Sequence, residues 1–311
     1  MEYPHRPVLV REVLEYLVTN PNGIYVDGTV GSGGHSEPLG KKIASKGRLI
    51  CLDVDPEAIR ISRERMSPLG ERVTIIKANY KELDEVLQGL GLEKVNGIFL
   101  DLGMSAYQIE ESGRGFSFYR NEPLDMRMDL DGEVTAHQLV NNLSKRDLEK
   151  IMRDYGEEKR ASLIARTIER SRMKQPIDSS LQLANLIQSV IPPSHHPRAR
   201  HPATKTFQAL RIAVNTELEN LKALLDKVPP LIVKGGRLVV LSYHSLEDRM
   251  VKQTLVKWEK GCICPPDLPR CACGKIPLFK RLNRKGVKPR QSEMSDNPRA
   301  RSATLRAGER I

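Results

Sequence analysis

Four short apolar runs recur in the first hundred residues, each followed by a stretch with helical periodicity. They are "GIYVDGTVG" (23–31), "GRLICLDVD" (47–55), "VTIIKAN" (73–79) and "NGIFLDLG" (96–103). Consecutive apolar positions, rather than alternating ones, predict strands buried on both faces. A helix is expected from about Ser36, and another from Pro56 with Asp55 as its N-cap. Strand and helix in alternation predict βαβ units and a parallel sheet. Ligands of such sheets sit beyond the carboxyl ends of the strands. Asp27, Asp53 and Asp101 stand at or just past the ends of runs one, two and four.

The pattern then changes. No strand is expected between about Glu110 and Val214. "SKRDLEKIMRDYG" begins with the capping pair Ser144 and Asp147 and carries an apolar stripe of Leu148, Ile151, Met152 and Tyr155. Two more helical segments follow, the second ending before Pro192. Residues 204–228 are expected to form one long helix, with Phe207, Leu210, Val214, Leu218, Leu221 and Leu225 as its core stripe. "GGRLVVLSYHS" (235–245) restores the strand pattern, and "IPLFKRL" and "SATLRAGER" are candidate last strands. The fold class expected is therefore α/β, Rossmann-like, with an inserted all-helical domain. The expected limits are 1–110 for the first part of the α/β domain, 111–213 for the insertion and 214–311 for the second part.

With 311 residues and 39% hydrophobic content the chain is large enough for such a core. No run reaches the roughly 18 apolar residues of a membrane span, and charges and prolines break the N-terminal stretch, so a cytoplasmic protein without membrane contact is expected. Net charge is +11. Residues 275–311 hold eleven Lys/Arg against three acids, so the excess is concentrated in one region, which reads either as a solvated tail or as a phosphate-binding surface.

The glycine-rich "VDGTVGSGGHS" (26–36) after the first strand points to a nucleotide-like ligand. It fits the dinucleotide fingerprint imperfectly, because Ser36 stands where the third glycine belongs. S-adenosyl-L-methionine fits better. Its sulfonium and α-ammonium are cations that favour nearby carboxylates, whereas Asp27 and Asp101 would repel a pyrophosphate. Asp53 is placed to accept from ribose hydroxyls under either reading.

"DLGMS" (101–105) begins where methyltransferases acting on amino groups carry an acid or amide followed by prolines and an aromatic residue. An exocyclic amine of cytosine has its lone pair drawn into the ring, so acceptors that hold its N–H bonds in line with the methyl group are a workable strategy. No nucleophilic cysteine is required for a nitrogen target. Phe116, Phe118 and Tyr119 alternate with Arg114, Arg120 and Arg127, a mixture able to stack bases and meet phosphate, although an ordered loop with two buried phenylalanines explains the same residues. Cys51 reads as core. Cys262, Cys264, Cys271 and Cys273 form two C-x-C pairs, a spacing unlike the usual C-x₂₋₄-C of zinc sites, and no metal is assigned to them. His195, His196 and His201 lie among prolines and read as an exposed basic loop. His244 reads as structural.

Several of these stretches together resemble one family. "HRPVL", "DGTVGSGGHS", "LDVDPEAI", "DLGMSAYQI", "GRGFSF", "PLDMRMD", "HPATKTFQALRIAVNTEL", "SYHSLEDR" and "NPRARSATLRAGER" are similar to the bacterial RsmH (MraW) methyltransferases, and the likeness runs from His5 to Arg310. These enzymes methylate N4 of a cytidine in small-subunit (16S) ribosomal RNA. The resemblance implies an S-adenosyl-L-methionine-dependent enzyme whose partner is 16S rRNA, within the small ribosomal subunit. It implies that Gly33, Gly34 and His35 line the methionine end of the cofactor, that Asp53 holds the ribose, that Tyr80 lies against the adenine, and that Asp101 and Gln108 complete the pocket. Asp101 is the candidate catalytic residue, and Arg114, Phe116 and Phe118 are candidates for substrate binding. Met104, Ala106 and Tyr243 depart from the family's commoner Val, Ser and Phe. A ribosome-assembly factor that binds RNA and holds the cofactor without using it is the alternative, and a homodimer is left open.

Overall fold

The computed structural model describes residues 7–191, 201–260, 262, 264, 265, 268–270 and 272–311. The chain divides into two compact units, Met1–Gly103 with Leu218–Ile311, and Met104–Glu217. The second unit is longer at both ends than the expected insertion of 111–213.

The first unit is built on seven strands: β1 (Ile24–Asp27), β2 (Arg48–Asp53), β3 (Val73–Lys77), β4 (Val95–Asp101), β5 (Ile232–Ser242), β6 (Phe279–Arg281) and β7 (Thr304–Arg310). Their order is β3-β2-β1-β4-β5-β7-β6. The first five are parallel, and β7 runs antiparallel to both β5 and β6. This is the expected Rossmann-like α/β sheet. The unbroken apolar runs are explained by burial on both sides. Leu49, Cys51 and Phe99 pack into one cluster with the helices Val10–Leu17, Ser36–Lys42 and Pro56–Met66. Ile50, Leu52, Ile98 and Leu100 face the opposite cluster, with the helices Leu83–Gly89 and Ser245–Lys260 and the leucines 221, 224 and 225.

The chain steps outward from β1 to β3 and then returns to the other side of β1 for β4 and β5. The sheet order therefore reverses between β1 and β4, and the crevice beyond their carboxyl ends is where such sheets hold ligands.

The second unit is helical. Its elements include Ala136–Asn142, Lys145–Asp154, Ala161–Arg172, Ser180–Val190 and Thr204–Asn215. Among the described residues its only β pairing is an isolated bridge between Pro123 and Ser179. Ser144 caps its helix as expected, accepting from the Asp147 amide at 3.1 Å. Leu148, Met152, Ile164, Leu183, Phe207 and Leu210 make the core.

Two expectations are corrected here. The single helix of 204–228 is two helices, Thr204–Asn215 and Glu217–Leu231, separated by Thr216 in the left-handed region at φ 48°. The break is held by side chains. Asn215 accepts from the Met128 amide at 2.7 Å and donates to the Met126 carbonyl at 2.8 Å, and Arg211 grips Glu217 through two bonds of 2.8 Å. Of the two readings of the basic C-terminal region, the solvated tail is the one removed, and both candidate last strands form. The region supplies β6 and β7, and several of its cations serve the fold. Arg306 pairs with Asp248 at 2.7 Å, Arg281 pairs with Glu259, and Arg310 donates to the carbonyls of Pro229 and Leu278. Arg284, Lys285 and Arg290 remain exposed.

Candidate active site

The glycine turn between β1 and the helix Ser36–Lys42 is fixed by the strand-end acids themselves. Asp53 Oδ2 accepts from the Gly31 amide at 2.8 Å, and Asp27 Oδ1 accepts from the Thr29 amide at 3.1 Å. Gly31 and Gly33 have φ of 50° and 78°, conformations that side chains resist. Gly28 is required for a different reason: a Cβ there would stand 2.6 Å from Leu100 Cδ2 and 3.1 Å from Tyr80 Cβ. Tyr80 opens a short 3₁₀ turn after β3, so its placement beside the glycine turn is a consequence of the sheet. Arg65 locks the turn from outside, donating to Ser32 O at 3.2 Å while pairing with Glu37 at 2.6 Å. Its role carried no signal in the sequence.

Asp27, Asp53 and Asp101 end the three adjacent strands β1, β2 and β4. Their electrostatic states differ. Burial pushes the Asp53 carboxyl up to about 6, against the amides of Asp55 and Gly31 that favour the anion. Burial also pushes Asp27 up to about 6, against a 2.5 Å bond donated by Ser36 Oγ. Two carboxyls that hold protons so readily gain when a cation comes near.

Asp101 behaves in the opposite way. Burial would raise its carboxyl, but the hydrogen bond and charge of His35, together with the Tyr243 hydroxyl and the Gly103 amide, hold it below the ordinary range. His35 Nδ1 is 3.3 Å from Asp101 Oδ2, and His35 Nε2 is 2.8 Å from the Val8 carbonyl oxygen. The ring rests at 4.9 Å from that of Phe99. The Asp101 amide is anchored as well, donating to Thr29 Oγ1 at 2.7 Å. Asp101 Oδ1 is buried and has no hydrogen-bond partner among the described residues. An unsatisfied carboxylate oxygen at the switch point is a place where a donor from a ligand can be received.

The sequence assigned Tyr243 only as a departure from a commoner Phe. The structure gives its hydroxyl a partner in Asp101, and burial, together with the Asp101 charge, drives the phenol well above its usual range. His244 is structural as expected, with Nε2 at 2.9 Å from Glu247 Oε1, while Glu247 accepts from the Tyr243 amide at the start of the helix Ser245–Lys260.

Gln108, Arg114, Phe116 and Phe118 belong to the second unit. Gln108 closes a capping box with Ser105, each accepting from the other's amide at 3.1 Å. Arg114 is buried and donates to the Arg127 and Met128 carbonyls, with its guanidinium 5.8 Å from the Phe116 ring. Phe116 itself is in the helical core. Phe118 stacks on His201 with ring centres 4.5 Å apart and meets Phe207 edge-on. Tyr119 is the exposed aromatic of this group, at 74%. His5, His195, His196 and Cys271 lie outside the described residues. Among the described residues no helix is long and apolar enough to cross a membrane.

A model of the MraW methylase family matches residues 2–311. The chain is 46% identical over 307 residues to a protein of Symbiobacterium thermophilum named ribosomal RNA small subunit methyltransferase H, covering 99% of this chain and 96% of that one. A protein of Geotalea daltonii with the same name is 47% identical over 310 residues, covering 100% and 99%. Among solved structures, an rRNA methylase from Streptococcus thermophilus aligns at 11% identity and a TM-score of 0.42, covering 97% of this chain and 93% of that one.

Proposed function

The chain belongs to the MraW methylase family, and we propose that it transfers the methyl group of S-adenosyl-L-methionine to the exocyclic N4 amine of a specific cytidine in small-subunit (16S) ribosomal RNA. The observation that carries this reading is the unequal set of carboxyls at the ends of β1, β2 and β4. Two hold protons up to about 6, a third is held ionised, and the third keeps one oxygen unsatisfied. The residues present suit a ligand that is cationic and carries a ribose. Asp53 would hold the ribose, Tyr80 would lie beside the adenine, and Gly33, Gly34 and His35 would face the methionine end. The ligand supplies an electrophilic methyl group on a sulfonium.

Asp101 would act on the amine. Because His35 keeps its carboxyl ionised at neutral pH, it is a strong acceptor and a weak base. It would hold an N4 hydrogen and counter positive charge while the methyl moves from sulfur to nitrogen. The proton that N4 then loses would pass to solvent after transfer, when the amine has become acidic. The helical unit would bind the RNA, with Gln108 supporting the loop after Asp101. The burial of Arg114 and Phe116 gives them a supporting role, and Tyr119 with the neighbouring Phe118 is the better base-stacking pair. Action within the small ribosomal subunit, in the cytoplasm, accords with this substrate.

The test is transfer of labelled methyl from the cofactor to small-subunit rRNA, followed by nucleoside analysis. N4-methylcytidine at one position is expected. RNA that is bound without acquiring label would leave an assembly factor in place of an enzyme.

A further inference from the structure

The connection between the helix Ser245–Lys260 and β6 occupies residues 261–278 and contains no helix or strand among its described residues. Connections of that length with no secondary structure are uncommon in compact domains and are usually functional or linker segments. Here three thiols gather. The Sγ atoms of Cys262, Cys264 and Cys273 all lie within 4.8 Å of one another, and those of Cys262 and Cys273 are 3.8 Å apart.

That separation is informative. A disulfide brings its sulfurs to about 2.05 Å. Two thiolates on one tetrahedral zinc, each about 2.3 Å from the metal, stand about 3.8 Å apart. The Ala272 amide also points at Cys264 Sγ, at 3.3 Å, as backbone amides do when they support a metal-bound thiolate. Lys260, Arg270 and Lys275 are close in the chain, and their charge would offset the thiolates. The C-x-C spacing, unlike the common zinc patterns, hid this from the sequence. The geometry shows that the two arms of the loop need not each supply a wide chelate, because the fold brings Cys273 back to Cys262.

We propose that Cys262, Cys264 and Cys273 bind a structural zinc ion that closes the loop ahead of β6. Cys271 lies outside the described residues; the three thiolates named here fill three of the four positions of a tetrahedral zinc. Soft thiolate ligands select zinc over the hard cations. A metal clip works in a reducing compartment, where a disulfide does not persist. Its role is to hold the loop and, through it, the placement of β6 beside β7. The site shares no residue with the strand-end acids, so failure of this proposal would leave the proposed methyl transfer untouched.

The full-length protein would be reduced, loaded with zinc, dialysed and measured for bound metal. About one zinc per chain is expected, falling below about one tenth in the Cys262→Ser/Cys264→Ser/Cys273→Ser variant and unchanged in Cys51→Ser. A second measurement needs no variant. Alkylation of the native wild-type protein followed by peptide mass spectrometry should find these three cysteines protected with zinc and labelled once a chelator has removed it. Failure of the wild type to retain zinc, retention by a folded triple variant, or equal labelling with and without metal would each overturn the proposal. If the triple variant does not fold, the alkylation result alone decides.

Discussion

Both ring nitrogens of His35 face acceptors, Asp101 Oδ2 at 3.3 Å and the Val8 carbonyl at 2.8 Å. A neutral imidazole donates through one nitrogen only, so this geometry is satisfied by the imidazolium. Burial alone would lower the His35 pKa, yet Asp101 and Val8 raise it above the ordinary 6.5. A raised histidine stabilises the fold below its unfolded value and loses that contribution as pH rises through the folded one. A lowered aspartate stabilises above its unfolded value, 3.8, and loses that contribution as pH falls through the folded one. The pair should therefore contribute most between about 4 and 6.5. NMR titration of His35 should give a midpoint above 6.5 in the wild type, dropping in Asp101→Asn. An unchanged midpoint in that variant would disprove the coupling.

Asp101→Asn tests the proposed chemistry. The amide keeps the side chain's shape but loses the charge that orients the amine and balances the transfer. With cofactor saturating, single-turnover methylation should slow by about 10²-fold or more, while cofactor affinity changes much less. Equal losses in both would make Asp101 a cofactor contact and nothing more.

Cofactor binding should depend on pH through Asp27 and Asp53, both of which titrate near 6 in the ligand-free protein. A cationic ligand favours the ionised carboxyls, so affinity should rise with pH between about 5 and 7 and level off above, by up to tenfold per unit for each proton released. Calorimetry across that range would measure the slope. Asp53→Ala should reduce it to the contribution of Asp27 and weaken binding by about 1–3 kcal/mol. The demethylated product has lost the sulfonium charge and should show a shallower slope. A slope of equal size for both ligands would assign the protons elsewhere.

Phe116 and Tyr119 should separate stability from RNA binding. Phe116 is in the helical core, and its replacement by alanine should cost about 3–5 kcal/mol of unfolding free energy. Tyr119 is exposed, and its replacement should leave stability nearly unchanged while weakening RNA binding by about 1–3 kcal/mol. Denaturant unfolding and RNA titration on both variants give the four values. If Tyr119→Ala binds RNA normally, the stacking surface lies elsewhere.

Much of the sheet was legible because a parallel strand buried on both faces leaves an unbroken apolar run. The acids ending β1, β2 and β4 followed directly, and so did the N-caps at Asp55 and Ser144. The division at Thr216 was not legible, because apolar spacing continues across it. Phe207 and Leu210 pack in the helical core, whereas Leu221 and Leu225 pack beneath the sheet, and a single periodic stripe conceals that change of allegiance. The burial of Phe116 was hidden for a related reason: an aromatic residue between arginines reads the same in a core as on a surface. His35 could be located but not assigned a charge, since that depends on Val8 and Asp101 reaching its two nitrogens from opposite ends of the local sequence.

The position of β7 bears on how the protein is made. This strand, Thr304–Arg310, lies between β5 and β6 and is the sole neighbour of β6 within the sheet. During vectorial synthesis, everything in Met104–Glu217 has emerged from the ribosome long before residue 304. The helical unit can complete its own core early, because that core is drawn entirely from residues 116–210. The sheet meanwhile waits with the flank of β5 exposed, a hydrogen-bonding edge flanked by apolar residues. The nascent chain thus carries a finished helical unit and an unfinished sheet at the same time, and that interval is when it is most exposed to aggregation and most in need of a chaperone.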